Sequence, residues 1–208
     1  MNARPRPRTY KTGRRPRWPR HMGCRMDRDL VEAAQAGNRE AYVDLIRARS
    51  DRLFALAQRI LRDIDRSEDA LQDALVIAWR DLRGLRDPDR FDAWLRRVLV
   101  NVCIGHAARE RRRTANLRAL PVDGPAVPDE LVTVADRDLL ERGFRRLPPD
   151  QRAILVLHHF LGYPPSEIAE TLGIPPGTAR SRLFRAHRAM RAALEADARV
   201  ALEGGRPA

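Results

Sequence analysis

The sequence predicts an all-α protein of two small helical domains joined by a flexible linker. Three observations carry this expectation. Apolar residues recur three and four apart through residues 29–113 and again through 136–196, the period of helices with one buried face. Between them, residues 114–135 lose the period and gather Pro121, Gly124, Pro125 and Pro128 with Asp123, Asp129 and Glu130. That composition breaks helices and spaces domains. Finally, no stretch is β-rich and no internal repeat is visible. The expected limits are a first domain over 27–113, a linker over 114–135 and a second domain over 136–196. A basic extension (1–26) precedes them and a short tail (197–208) follows.

In the first domain a short helix is expected over about Asp29–Ala36, stopping at Gly37-Asn38. A second runs from about Arg39 to Leu61, with Tyr42, Leu45, Ile46, Leu53, Leu56, Ala57 and Ile60 as its apolar face. A third spans about Ser67–Arg83. Asp65 or Ser67 caps it, and Glu68 and Asp69 sit in its first turn, where carboxylates suit the helix dipole. Its expected buried set is Leu71, Leu75, Ala78, Trp79 and Leu82. After a Gly84–Asp87 loop, Pro88 stands where a first-turn proline belongs. A long fourth helix then runs to about Arg113, turning Phe91, Trp94, Leu95, Val98, Leu99, Val102 and His106 inward.

In the second domain the expected helices are about Asp136–Leu147, Pro149–Leu161, Ser166–Leu172 and Gly177–Ala196. Ile154, Leu155, Leu157 and Leu161 supply the core. The last two helices are the most telling. Ser166 reads as an N-cap, Ile168, Ala169 and Leu172 as an apolar stripe, and Gly173 as a left-handed C-cap. In the final helix Ala179, Leu183, Ala186 and Met190 form a buried stripe. Arg180, Ser181, Arg182, Phe184, Arg185 and Arg188 fall largely outside it. A helix, a Gly-containing turn and a basic second helix are the signature of a DNA-binding helix-turn-helix.

Net charge is +12, which favours a polyanionic partner. Residues 1–25 hold eight Arg and one Lys with no acid, so nine of those charges lie there and about three on everything else. The DNA-binding charge of the folded part must therefore be local. The extension lacks core-forming residues and is expected to be disordered. It reads as a basic arm, as a tail without a role, or as sequence upstream of a start at Met22 or Met26, the reading favoured here. Cys24 and Cys103 match no zinc or redox spacing, and no apolar run approaches the length of a membrane span. A cytoplasmic protein without metal or cofactor is expected. No catalytic constellation is visible. Neighbouring His158 and His159 would point about 100° apart on a helix, which makes them poor co-ligands.

Four motifs, in order, resemble the bacterial RNA polymerase sigma factors of the extracytoplasmic-function type in the sigma-70 family. Ser67-Glu68-Asp69-Ala70-Leu71-Gln72-Asp73 resembles the family's AEDLVQE. Phe91-Asp92-Ala93-Trp94-Leu95-Arg96-Arg97-Val98-Leu99-Val100-Asn101 is similar to FRAWLxRIARN. Leu147-Pro148-Pro149-Asp150-Gln151-Arg152 matches LPxxxR. Gly177-Thr178-Ala179-Arg180-Ser181-Arg182-Leu183-Phe184-Arg185-Ala186 matches GTVxSRLxRA, with Ala179 in place of valine. Gly105 stands where the family has aspartate. The resemblance implies that the first domain is sigma region 2, a helical bundle, and the second sigma region 4, a helix-turn-helix.

The resemblance also assigns expected sites. Glu68, Asp69, Gln72 and Asp73, by themselves a solvated helix face, would dock on the clamp coiled coil of the polymerase's largest subunit, and the flap is implied as a further polymerase contact. Arg96, Arg97, Asn101 and Arg109 would contact the −10 element, with the Gly84–Arg90 loop receiving a flipped base. Thr178, Arg180, Ser181, Arg182, Phe184, Arg185 and Arg188 would bind the −35 element, Thr178 also capping the helix. The implied partners are core RNA polymerase, promoter DNA and an anti-sigma factor. The implied function is promoter-specific initiation, not catalysis. The competing reading is a stand-alone helix-turn-helix regulator that binds duplex DNA without polymerase.

Overall fold

The computed structural model describes residues 25–116 and 134–204, and among them there is no strand. The basic arm up to residue 24, most of the expected linker and the last four residues lie outside the described residues. Nine α-helices are found among the described residues: α1 (Arg25–Gln35), α2 (Arg39–Arg47), α3 (Ser50–Leu61), α4 (Ile64–Asp81), α5 (Phe91–Asn116), α6 (Val134–Arg146), α7 (Pro149–Leu155), α8 (Pro165–Leu172) and α9 (Pro176–Gly204).

The single helix expected over 39–61 is broken at Ala48-Arg49. Ser50 Oγ donates back to Ile46 O at 2.8 Å, a local bond that competes with helix continuation. The Arg49 side chain fixes the corner by donating to Leu45 O (3.0 Å), Asp27 Oδ2 (3.2 Å) and Asp92 Oδ1 (2.5 Å). The apolar face survives the break, with Leu45, Ile46, Leu53, Leu56, Ala57 and Ile60 all buried. At the other end of α1, Gly37 adopts φ +100°, a conformation glycine reaches without strain. Asn38 then caps α2 by accepting from Glu40 N and Ala41 N.

α4 begins three residues earlier than expected. Its cap is Asp63, which accepts from Arg66 N, rather than Asp65 or Ser67. Ser67 is buried and donates to Asp63 O. The inward row is correspondingly rotated: Ser67, Ala70, Ala74 and Ala78 are buried, while Leu71, Leu75 and Trp79 lie half-buried on its flank. Small residues let α4 approach α3 and α5 closely, and the larger side chains close the edges. Tyr42 does so by stacking tilted on Trp79, at 4.9 Å, and donating to Leu75 O at 2.6 Å. α5 is rotated too, in the opposite sense. Phe91, Leu95, Leu99, Val100, Cys103 and Ala107 are its buried set, and Trp94, Val98, Val102 and His106 are half-buried.

In the second domain α7 does not continue to Leu161 as an α-helix. It gives way to a π-type turn over Val156–Phe160. α8 is capped at Pro164 with Pro165 in its first turn, so Ser166 is exposed inside the helix rather than its cap. α9 begins at Pro176, which places Thr178 in its first turn rather than at its cap, and it extends through Gly204, beyond the expected limit of Ala196. Gly143 lets α6 pack closely on α9, because a Cβ there would sit 2.9 Å from Met190 Cε and 3.0 Å from Leu194 Cδ2. Gly143→Val is therefore expected to cost about 1–3 kcal/mol of stability through overpacking, read as a lowered urea midpoint.

The two helical units are not separate. One continuous core runs from Val31 to Ala186, and arginines stitch the seam. Arg152, buried at 7% exposure, donates from Nε to Ile60 O (2.7 Å) and from Nη2 to Leu61 O (3.2 Å). These are end carbonyls of α3, which the helix itself leaves without partners. Arg59 lies 4.1 Å over the Phe160 ring. Arg62 pairs with Glu141, and Arg111 with Asp150. Burial, then the neighbouring Arg62, Arg111 and Arg66 charges, pull Arg152 down to about 10, so it stays charged at neutral pH.

Candidate nucleic-acid interface

The helix-turn-helix is closed by Gly173, left-handed at φ +63°, with Ile174 N donating to Ala169 O at 3.0 Å. This is the hydrogen-bond pattern of a Schellman end. It aims α9 across α8, with Ile168, Ala169, Ala179, Leu183 and Ala186 buried between them. Ala179 is fully buried, so the position where the resemblance expects valine is part of the helix contact. Outward, α9 exposes Arg180, Ser181, Arg182, Phe184, Arg185 and Arg188, with Thr178 half-buried. Phe184, 67% exposed, is an aromatic ring held in solvent amid arginines. Ser181 Oγ donates to Thr178 O at 3.0 Å. Arg185 Nε reaches Ser181 O at 3.4 Å, a contact that orients the guanidinium.

On α5 the expected −10 set divides. Arg97, Asn101 and Arg109 are exposed. Arg96 is not on that face: it is 9% exposed, and its Nε donates to Tyr163 Oη of the second domain at 2.8 Å. The expectation for Arg96 is thus corrected in placement, because the seam between the domains claims its head group. Arg97 borders the same seam, its Nη2 3.7 Å from where a Cβ on Gly173 would lie. The 82–90 loop is held from two sides. Gln35 Nε2 donates to Leu82 O (3.1 Å) and Leu85 O (2.7 Å), and Asp87 accepts from Asp89 N (3.1 Å). Arg28 pairs with Asp89 at 3.2 Å. Such anchoring presets a loop before any ligand arrives.

α4 exposes Glu68, Asp69, Gln72 and Asp73 together. Asp73 is tied to α5 through His106 Nε2 at 2.8 Å. Sequence reasoning missed Val76, which is 69% exposed and lies one turn beyond Gln72 on the same side. The signal was present as an apolar residue at i+4 from Gln72 and i+7 from Asp69. Among the described residues, no group of three or more His, Cys, Asp or Glu is arranged to hold a metal, and no helix is long and apolar enough to cross a membrane. Cys103 is fully buried, and burial pushes its thiol up to about 12, the behaviour of a packed thiol. The π-type turn sets the His158 and His159 rings edge to face, 4.8 Å apart, beside His187 of α9.

Comparison with known proteins follows the same division of the chain. The family model "Sigma-70 region 2" matches residues 45–113, and "Sigma-70, region 4" matches residues 137–190. The ECF RNA polymerase sigma factor SigM of Mycobacterium tuberculosis is 36% identical over 162 residues, covering 78% of this chain and 81% of that protein. Among solved structures, CnrH in complex with the cytosolic domain of CnrY aligns at TM-score 0.54 and 27% identity, covering 83% of this chain and 99% of that one. The sigma factor RpoE of Bartonella quintana, in complex with the anti-sigma factor NepR, aligns at TM-score 0.60 over 75% of this chain and 98% of that one; at 23% identity it shares the fold.

Proposed function

The chain belongs to the sigma-70 family of RNA polymerase sigma factors, in its ECF branch, and from that premise we propose how its surfaces divide the work of initiation. As a sigma factor it confers promoter specificity on core RNA polymerase. In our reading α9 is the −35 reader. Arg180 and Arg185 reach base edges in the major groove, where an arginine fork fits guanine O6 and N7, and Phe184 meets a thymine methyl. Arg182, Arg188 and Thr178 hold phosphates, and Ser181 offers an acceptor. The single observation that carries this reading is the exposed basic face of α9, with its aromatic ring in solvent, set on a helix whose opposite face is fully buried.

Asn101, Arg97 and Arg109 take the −10 element, with the braced 82–90 loop beside them to receive an unpaired base. Arg96 joins them only after the seam opens. The two promoter elements lie about two helical turns apart, roughly 70 Å, so a region 4 seated on α3 and α5 must leave that seat for both to be held at once. Glu68, Asp69, Gln72 and Asp73 dock on the polymerase clamp, with Val76 as the apolar centre of the contact. Work in the cytoplasm and restraint by an anti-sigma factor both fit this reading, and it assigns the chain no catalysis. Arg180→Ala or Arg185→Ala is expected to weaken −35 duplex binding by about 1–3 kcal/mol each, roughly 5- to 150-fold, and to relax preference at one base pair. Arg182→Ala should weaken all sequences alike and flatten the salt dependence. Equal losses on specific and random duplexes for Arg180→Ala would remove it from base reading.

A further inference from the structure

His159 Nε2 and His187 Nε2 lie 2.7 Å apart, joining the π-type turn after α7 to α9. Two neutral imidazole nitrogens can meet this closely only if one is protonated and the other offers its lone pair. A third ring stands beside them: His158 is centred 4.8 Å from His159 and 6.0 Å from His187, and the last two are centred 5.0 Å apart. His158 Nδ1 is 2.9 Å from Tyr163 O. A carbonyl only accepts, so that nitrogen carries a proton.

The spacing fits an ion in place of the shared proton. Imidazole nitrogens about 2.0–2.1 Å from a tetrahedral zinc sit roughly 3.3 Å apart. The pair therefore needs to open by about 0.6 Å, within the reach of two exposed side chains. Ring centres on one such ion fall about 5 Å apart, inside the observed spread. π-type turns recur at functional sites because they place side chains that an α-helix would separate. Here the turn sets the adjacent His158 and His159 next to the same partner.

We propose that His159 and His187 form a binding site for a divalent first-row transition cation of the zinc, nickel, cobalt or copper class, one that pins α9 to the turn after α7. Two protein ligands are supplied, and water completes the coordination. Binding displaces the proton shared by the two rings into solvent. The purely imidazole donor set excludes Mg²⁺ and Ca²⁺, which require oxygen. Burial, then His158 and Arg191, hold His187 below its usual value of 6.5. The same Arg191 charge opposes an incoming cation and keeps the affinity moderate. The site stands on this geometry alone and does not depend on what α9 reads.

The test uses the full chain, stripped with a chelator and titrated calorimetrically with ZnCl₂, NiCl₂ and MgCl₂ near neutral pH. We expect Zn²⁺ and Ni²⁺ to bind and Mg²⁺ not to. His159→Gln and His187→Gln should each weaken the Zn²⁺ site at least about tenfold, and each should abolish the Zn²⁺-dependent rise in melting temperature. Cu²⁺ bound to the native chain should show nitrogen hyperfine structure from two imidazoles, a readout that needs no variant. Unchanged Zn²⁺ binding in both variants, no binding to the native chain, or a copper signal from fewer than two nitrogens would overturn the proposal.

Discussion

Arg152→Ala is expected to destabilise the protein by about 3 kcal/mol and to free the second domain from the first. The guanidinium is 7% exposed and serves two carbonyls at the end of α3. Its removal loses two charge-assisted hydrogen bonds and strands both acceptors in a buried seam, where each unmet group costs about 1–3 kcal/mol. Relief of the guanidinium's own desolvation offsets part of that loss, which is why the expectation stays near the lower end of the sum. Arg152→Lys should lie between, because an ammonium is a point donor and cannot reproduce the two-pronged reach of the fork. Urea unfolding measures the loss. Spin labels at the exposed Asp51 of α3 and Ser166 of α8 measure the release. The native chain should give one narrow distance, and Arg152→Ala a broad distribution shifted outward. A narrow, unchanged distance in Arg152→Ala would mean that the apolar part of the seam holds the domains without it.

The second large effect concerns the polymerase. Asp69→Arg combined with Gln72→Ala is expected to weaken binding to core RNA polymerase by on the order of 100-fold or more, since reversing a charge in a complementary contact costs about 2–5 kcal/mol. Val76→Asp should add a further loss of about tenfold, as an exposed apolar residue inside a polar rim carries a disproportionate share of a contact. All three side chains are exposed. Folding stability should therefore stay within about 0.5 kcal/mol of the native chain, which separates a docking defect from a folding defect. Binding measured by fluorescence anisotropy of labelled chain against core polymerase decides between them.

The helical plan and the polar face of α9 were legible in the sequence because helices with one buried side impose a period that survives without coordinates. What was not legible has physical reasons. The break at Ala48-Arg49 leaves the apolar period intact, and it is set by a serine back-bond and by Arg49 reaching residues 27 and 92, far away in the chain. In α4 the buried row is Ser67, Ala70, Ala74 and Ala78. Hydrophobicity ranks leucine above alanine, yet close helix approach selects the small residue and leaves Leu71 and Leu75 at the margin. Arg96 has the composition of a solvent-facing residue, and only the docked second domain explains its burial. Arg152 was visible as the last residue of a family motif, but its carbonyl partners belong to another domain. The histidine cluster depends on a π-type turn, which no helical period predicts. Residue types fixed which chemistry each face could offer, and tertiary contacts decided which groups were free to offer it.

The most direct test of the account is reconstitution. Purified chain, added to bacterial core RNA polymerase and templates from the genome that encodes it, should yield transcripts starting at one discrete position downstream of paired −35 and −10 elements. The native chain should do so, Arg180→Ala should lose preference at the −35 element, and the Asp69→Arg, Gln72→Ala chain should fail to initiate. Specific duplex binding by the chain alone, with no promoter-specific transcript in the presence of core polymerase and no effect of the Asp69 and Gln72 substitutions, would contradict it and favour a regulator that works without polymerase.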